Sequence, residues 1–445
     1  MKLARNVCIK YSVFILFALL TSGAMMIHGT AFAQEETFVN VFQIVVPGDL
    51  DSFDIGFVDP QIGRYFLADR TNKAIDQVVT STNTIHQLAA GEFFGLQPGA
   101  NTSGPNGVIT ANNHTEVWAA DGVQCTNSLS TTPPATTCGT VLKTSRIQVI
   151  DIKTGQVTHT IDNGGQRRAD ELCVDPQHHV VLVANDDDLD LFLTFISTNT
   201  YEILRKIHLD GTDSNGLNIK ATNGIEQCQW SPRTGKFYLA VPEVSGPGGN
   251  KVPGAVLEIN PQTLKVQKAF PIDFGFSAGP PATANCLGPQ GLAIGPNREI
   301  LLGCSNAGKG SVIINELNGD LVRSLDGLNG SDEVWYNPGN NHYFLAESNH
   351  TGGAILGVVD QRPDTIGEDA DPATAAGSHS VAVDPVFNQV YVPGNKAATS
   401  ICSSTNGCIA IFMSAASDAG ICGGKKQTAF QKEVCPDSKG KPGTN

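Results

Sequence analysis

Charge is scarce in this 445-residue chain. Only 16% of its residues are Asp, Glu, Lys or Arg, and acids outnumber bases to a net charge of −14. So little charge excludes a coiled coil or a charge-rich disordered chain, and 47 glycines without a three-residue period exclude collagen. Excess acid is the wrong sign for non-specific binding to nucleic acid or to an anionic membrane surface. C-x-x-C and H-x-x-x-H pairings and a C-x-x-C-H haem site are all missing. Gly303 to Gly310 nearly makes a phosphate loop, but Gly310 stands where Ser or Thr is required and no helix follows.

Residues 1–33 read as an export signal. Lys2, Arg5 and Lys10 precede an apolar run from Val13 to Leu20, and Ala31-Phe32-Ala33 is a small-x-small cleavage site. That run is too short for a membrane anchor, and no later segment stays apolar for about 18 residues. The expected product is a secreted or periplasmic protein, soluble after cleavage, with ten cysteines in an oxidising compartment. Spacing suggests disulfides Cys125–Cys138, Cys402–Cys408, Cys422–Cys435 and Cys286–Cys304, leaving Cys173 and Cys228 to each other, but spacing alone does not fix the connectivity. Residues 416–445 read as a basic tail pinned by one of these bridges.

Between signal and tail the sequence repeats. β-rich runs ending in a turn stack as Asp54 to Pro60, Asn106 to Asn112, Asp170 to Pro176, Glu226 to Pro232, Gln290 to Pro296, Asp332 to Pro338 and His379 to Pro385. Six of the seven carry Pro at the turn; Asn112 takes its place in the second. A second β-rich run follows each, as in Tyr65 to Asp69, and third and fourth strands follow in turn. Four antiparallel strands repeated seven times predict an all-β fold, a seven-bladed β-propeller over 34–415, with six or eight blades as alternatives. The last blade is one strand short, and the alternating run Phe38 to Val46 is expected to supply it, removing a free sheet edge.

The position six before each turn is polar in every repeat: Asp54, Asn106, Asp170, Glu226, Gln290, Asp332 and His379. First strands line a propeller channel, so this column predicts a ring at its mouth. Asp69, Asp121, Asn185, Ser305 and Glu347, at the second-strand ends, are expected on the same face. The reading is a funnel rich in carboxylates and free of Lys and Arg. A hydrated channel would also tolerate such residues, but carboxylates crowded near one axis call for a cation. Oxygen donors suit Ca²⁺ or Mg²⁺, while His379 keeps Zn²⁺ or Mn²⁺ open. A further acidic run, Asp186 to Asp190, reads as a solvated loop.

Val381-Ala-Val-Asp-Pro385 followed by Gln389-Val-Tyr-Val-Pro393, and Val180-Val-Leu-Val-Ala-Asn185, resemble the YVTN/NHL type of secreted propeller. Gly104-Pro-Asn106-Gly107, Glu226 and Asp332 more narrowly resemble the SMP-30/gluconolactonase group. That second resemblance implies a divalent cation in the funnel held by Asp54, Asn106 and Glu226. It implies a lactone or ester hydrolase with Asp170 or Asp332 as general base. Gln290, His379, Asp69, Asp121 and Glu347 would then contact a small-molecule ligand. The alternative expectation is a non-catalytic propeller binding a ligand or a partner protein through the funnel or through insertions at 122–140 and 243–253.

Overall fold

The computed structural model describes residues 36–126, 138–186, 191–212, 217, 219–244, 253–274, 286–306, 310–362, 365–368 and 371–415. The export signal, the Cys422–Cys435 pair, the basic tail and Asp187 to Asp190 lie outside the described residues. Within them the chain forms seven four-stranded antiparallel sheets and one small two-stranded hairpin. Blade 1 runs Phe53–Asp59, Arg64–Asp69, Ala74–Val79, Thr84–Leu88. Blades 2 to 6 begin with Val108–Ala111, Arg168–Asp175, Cys228–Ser231, Pro289–Ile294 and Val334–Asn337. Blade 7 combines Ala382–Asp384, Gln389–Gly394 and Cys408–Ser414 with the N-terminal strand Phe38–Ile44. Phe38 pairs with Ser414 and Ile44 with Ile409, so the ring closes through hydrogen bonds between the two ends of the propeller.

The repeated Asp-Pro or Asn-Pro turn has a physical cause. The side-chain oxygen before the proline accepts the backbone N–H two residues on: Asp59 from Gln61 at 3.0 Å, Asp175 from Gln177 at 2.8 Å, Asn337 from Gly339 at 2.8 Å and Asp384 from Val386 at 2.7 Å. Proline fixes its own φ for the turn, and the Asx bond closes it. Apolar side chains of the inner three strands interlock between blades. Tyr65 of blade 1 stacks on Tyr391 of blade 7 with ring centroids 4.6 Å apart. The outermost strands, such as Gln156–Asp162, are largely exposed.

Inner strands of neighbouring blades approach closely enough for direct hydrogen bonds, Gly107 N–H to Asp170 O at 3.1 Å and Gln227 N–H to Gln290 O at 3.2 Å. Gly107 is required there, because a Cβ would lie 2.2 Å from the Asp170 carbonyl oxygen; Gly291 meets Asp332 in the same way. Four disulfides form with the expected pairing: Cys125–Cys138, Cys173–Cys228, Cys286–Cys304 and Cys402–Cys408. They are compatible with an extracellular protein. No helix among the described residues is long and apolar enough to cross a membrane.

Candidate functional site

The column of polar residues forms the wall of a cavity of about 340 Å³ at the start of the first strands. Asp54, Asp170, Glu226, Gln290, Asp332 and His379 all line it. Asn106 is fully buried beside them, holding the Ala169 carbonyl through Nδ2 at 2.7 Å. The predicted ring is therefore present, but its electrostatics differ from the expectation of a funnel without Lys or Arg. Arg70 and Arg168 both stand in the cavity wall.

Arg70 pairs with Asp54 and donates to Asn106 Oδ1 from Nε at 3.0 Å and Nη2 at 2.7 Å. Arg168 reaches Asp170 at 2.7 Å, Asp186 at 3.0 Å and Asp54 at 3.7 Å. His379 completes the group: Nδ1 faces the Gly377 carbonyl at 2.8 Å and Nε2 faces Asp54 Oδ1 at 3.2 Å. A carbonyl oxygen and an ionised carboxylate can only accept, so this geometry favours an imidazolium with both nitrogens protonated. Burial opposes that charge, yet the hydrogen bond and charge of Asp54 raise the His379 pKa. Burial likewise works against ionised Asp54, but Arg70, the His379 hydrogen bond and Arg168 hold its carboxyl well below the usual range.

The other side of the funnel is relieved less: His379, Arg168 and Arg70 act on Asp332, and Arg168 on Glu226, without outweighing burial. Glu226 and Asp332 make no ion pair among the described residues; burial followed by neighbouring carboxylates raises the Glu226 pKa, and burial, opposed by the His379 charge, raises that of Asp332. Two further acids join them. A β-bulge between Ala169 and Leu172 lets successive residues Asp170 and Glu171 both reach the cavity, against strand alternation. Glu333, after Asp332, lines it too. Glu171 and Glu333 are near enough to share a proton. Burial, opposed by the Glu333 hydrogen bond, leaves Glu171 pushed up to about 7, and burial with the Glu171 charge pushes Glu333 well up. Asp170 Oδ1 and Glu333 Oε2 are buried without a hydrogen-bond donor among the described residues.

Asp69, Asp121 and Glu347, expected as ligand contacts in the same funnel, do not line it. All three are fully buried and already engaged by neighbouring groups. Asp69 accepts from Asn72 N–H at 2.9 Å, Asp121 from Arg146 Nε at 3.0 Å and Glu347 from Asn329 N–H at 3.0 Å. Burial, the largest influence on each of the first two, leaves Asp69 and Asp121 raised to about 6. Asn185 accepts from Ser145 and Asn163. Asp186, expected in a solvated loop, is buried against Arg168.

The donors do not fit the divalent cation implied by the resemblance. Asp54 and Asn106 are already held by Arg70, and Glu226 has Gln290 as its partner at 3.4 Å. Among the described residues no three His, Cys, Asp or Glu side chains form a metal-holding group. A raised pKa would mark a general base only if it were confined to one carboxyl. Asp170, Glu171, Glu226, Asp332 and Glu333 all share it through burial, so it singles out neither Asp170 nor Asp332.

No family model matches the chain, and no curated protein matches it. Solved structures do. A chain from a crystal structure of a mitotic checkpoint complex superposes with a TM-score of 0.56 at 10% identity, covering 92% of this chain and 99% of that one. The WD40 repeats of RRP9 give 0.56 at 8% identity over 86% and 99%. A chain of Kuenenia stuttgartiensis hydrazine synthase gives 0.56 at 13% identity over 79% and 95%. This likeness is one of fold. The chain is a seven-bladed β-propeller.

Proposed function

We propose that this is a secreted, non-catalytic binding propeller whose axial funnel takes a small organic cation, an alkylammonium or a guanidinium group. The observation that supports the reading is the pair of orphaned buried oxygens, Asp170 Oδ1 and Glu333 Oε2, in a cavity that Glu226 and Asp332 also line without a cationic partner among the described residues. Arg70, Arg168 and His379 make their direct ion pairs with Asp54, Asp170 and Asp186, and none with Glu226 or Asp332. An ammonium brings three N–H donors and a guanidinium five, so either can serve carboxylates that stand apart. A calcium ion instead needs six to eight oxygens converging within about 2.3–2.6 Å.

Isothermal titration calorimetry with putrescine, ethylguanidinium and Ca²⁺, each at pH 6 and pH 8, tests this. The expected result is one equivalent of an organic cation, bound more tightly at pH 8, where the funnel carboxyls release protons more readily. Glu226→Gln and Asp332→Asn should each weaken it about tenfold, roughly 1.4 kcal/mol. Binding of Ca²⁺ alone would favour the metal site instead. No binding at all would leave a hydrated channel.

A further inference from the structure

A second cavity, of about 670 Å³, opens at the opposite end of the first strands, among the turns of blades 1, 2 and 3. It has a different chemistry from the funnel and was not part of the expected site. Its centre is the turn that breaks the repeat. Where the other six blades carry Pro, blade 2 has Asn112, and Asn112, Asn113 and His114 take φ values of +50°, +55° and +62°. Proline, fixed near −65°, cannot begin such a run. Three consecutive non-glycine residues in the left-handed region persist only where surrounding contacts hold them.

Those contacts are visible. Asn112 Nδ2 donates to Glu116 Oε2 at 2.8 Å and to the Thr198 carbonyl of blade 3 at 2.9 Å. His114 Nδ1 meets Asp59 Oδ2 of blade 1 at 2.5 Å, and Thr110 Oγ1 donates to the same oxygen at 2.7 Å. Asp59 is buried, and its other oxygen holds the Gln61 N–H. An ionised carboxylate can only accept, so Nδ1 carries the proton. His114 lines the cavity, and with the proton on Nδ1 its Nε2 is left to accept. The arrangement bridges three blades and fixes one histidine tautomer.

The rest of the wall points to a ligand class. Phe57 and Val174 provide apolar surface, while Gln61, Asn113 and Asn199 provide side-chain amides that both donate and accept. The one carboxylate, Asp59, already has three donors, so the cavity makes no demand for a cation. Directional groups of both kinds, an apolar surface and no uncompensated charge match a polyhydroxylated ring with C–H faces and O–H edges. We propose that this cavity binds a neutral carbohydrate of mono- to disaccharide size, independently of the funnel.

The test is binding of the full chain to an array of neutral, sialylated and sulfated glycans, with free glucose, maltose and cellobiose as competitors. Retention of neutral glycans is expected, lowered at least tenfold by His114→Ala and by Gln61→Ala. Glu226→Gln in the funnel should leave it unchanged. Gln61 is exposed, so its variant keeps the test valid if loss of His114 disturbs folding. Competition by the free sugars would identify a soluble sugar. Competition only by longer glycans would identify a chain end, and both outcomes support the site. No neutral glycan above background, a preference for charged glycans, or binding indifferent to both variants would overturn it.

Discussion

Replacing Glu171 by Gln should stabilise the protein in a way that depends on pH. Glu171 and Glu333 meet in the channel wall, both buried, and Glu171 moves from 4.5 to about 7. A carboxyl whose pKa is raised on folding binds more protons in the native state than in the unfolded one. Stability therefore falls as pH rises from about 4.5 to about 7. With about 1.4 kcal/mol per pH unit, this site's destabilisation is about 1 kcal/mol at pH 5 and about 3 kcal/mol at pH 8. The amide introduced by Glu171→Gln would donate to the Glu333 carboxylate without needing a proton, so the variant escapes most of this loss. Urea unfolding at the two pH values should show Glu171→Gln more stable than the parent by about 1 kcal/mol at pH 5 and about 2–3 kcal/mol at pH 8. Glu333→Gln should change with the same sign. A stability difference that is the same at both pH values would refute the shared-proton geometry.

Removing the internal cation should be severe. Arg70→Met leaves Asp54 and Asn106 buried without their main partner and is expected to cost about 3–5 kcal/mol in urea unfolding, with much of it restored by adding Asp54→Asn. Gly107→Ala drives a Cβ onto the Asp170 carbonyl and should yield little soluble protein. Gly235→Ala, with nothing within 4 Å, should express normally and lose only about 1 kcal/mol to its left-handed φ, as judged by solubility and melting temperature. Replacing Cys173 and Cys228 by Ala opens a bridge between residues 55 apart, worth about 4 kcal/mol on the chain-entropy model. The same change at Cys402 and Cys408, 6 apart, should cost about 2 kcal/mol, so a reversed order in urea midpoints would contradict that account.

The architecture was legible because its determinants are local and repeated. A turn proline and the residue before it are adjacent; proline recurred in six of the seven first hairpins, preceded by Asp or Asn in four. The short last blade and the alternating run from Phe38 together foretold closure. The funnel column was legible for the same reason. Its electrostatics were not, because they depend on side chains arriving from positions outside the column. Arg70 lies one residue past the end of its strand, where period-two alternation carries no information. Arg168 was the accessible signal: it stands two before Asp170, and residues two apart on a strand share a face. Glu171 and Glu333 were hidden by the opposite rule. Alternation turns the residue after a channel-facing one away, but the bulge at Asp170-Glu171 defeats alternation there. What the sequence offered was the parallel Asp170-Glu171 and Asp332-Glu333.

Crowded carboxylates near one axis do call for compensation, and the fold supplies it unevenly. Asp54 has two guanidiniums and an imidazole, so its carboxyl stays ionised even though buried. Elsewhere in the channel wall, Glu171, Glu226, Asp332 and Glu333 make no direct ion pair among the described residues; the charges of Arg168 and His379 compensate the first three in part, and burial still raises all four. A site that must hold protons to remain folded comfortably is also one that a cation can enter by displacing them. The same asymmetry separates the two mouths of the channel. At the blade-2 turn the single carboxylate is saturated by its neighbours, so selectivity there rests on shape and hydrogen-bond direction rather than charge. In a repeat fold the residues that obey the repeat build the ring. The departures, Arg70 and Arg168 at one mouth and Asn112 to His114 at the other, are where neighbouring blades are made different enough to recognise something.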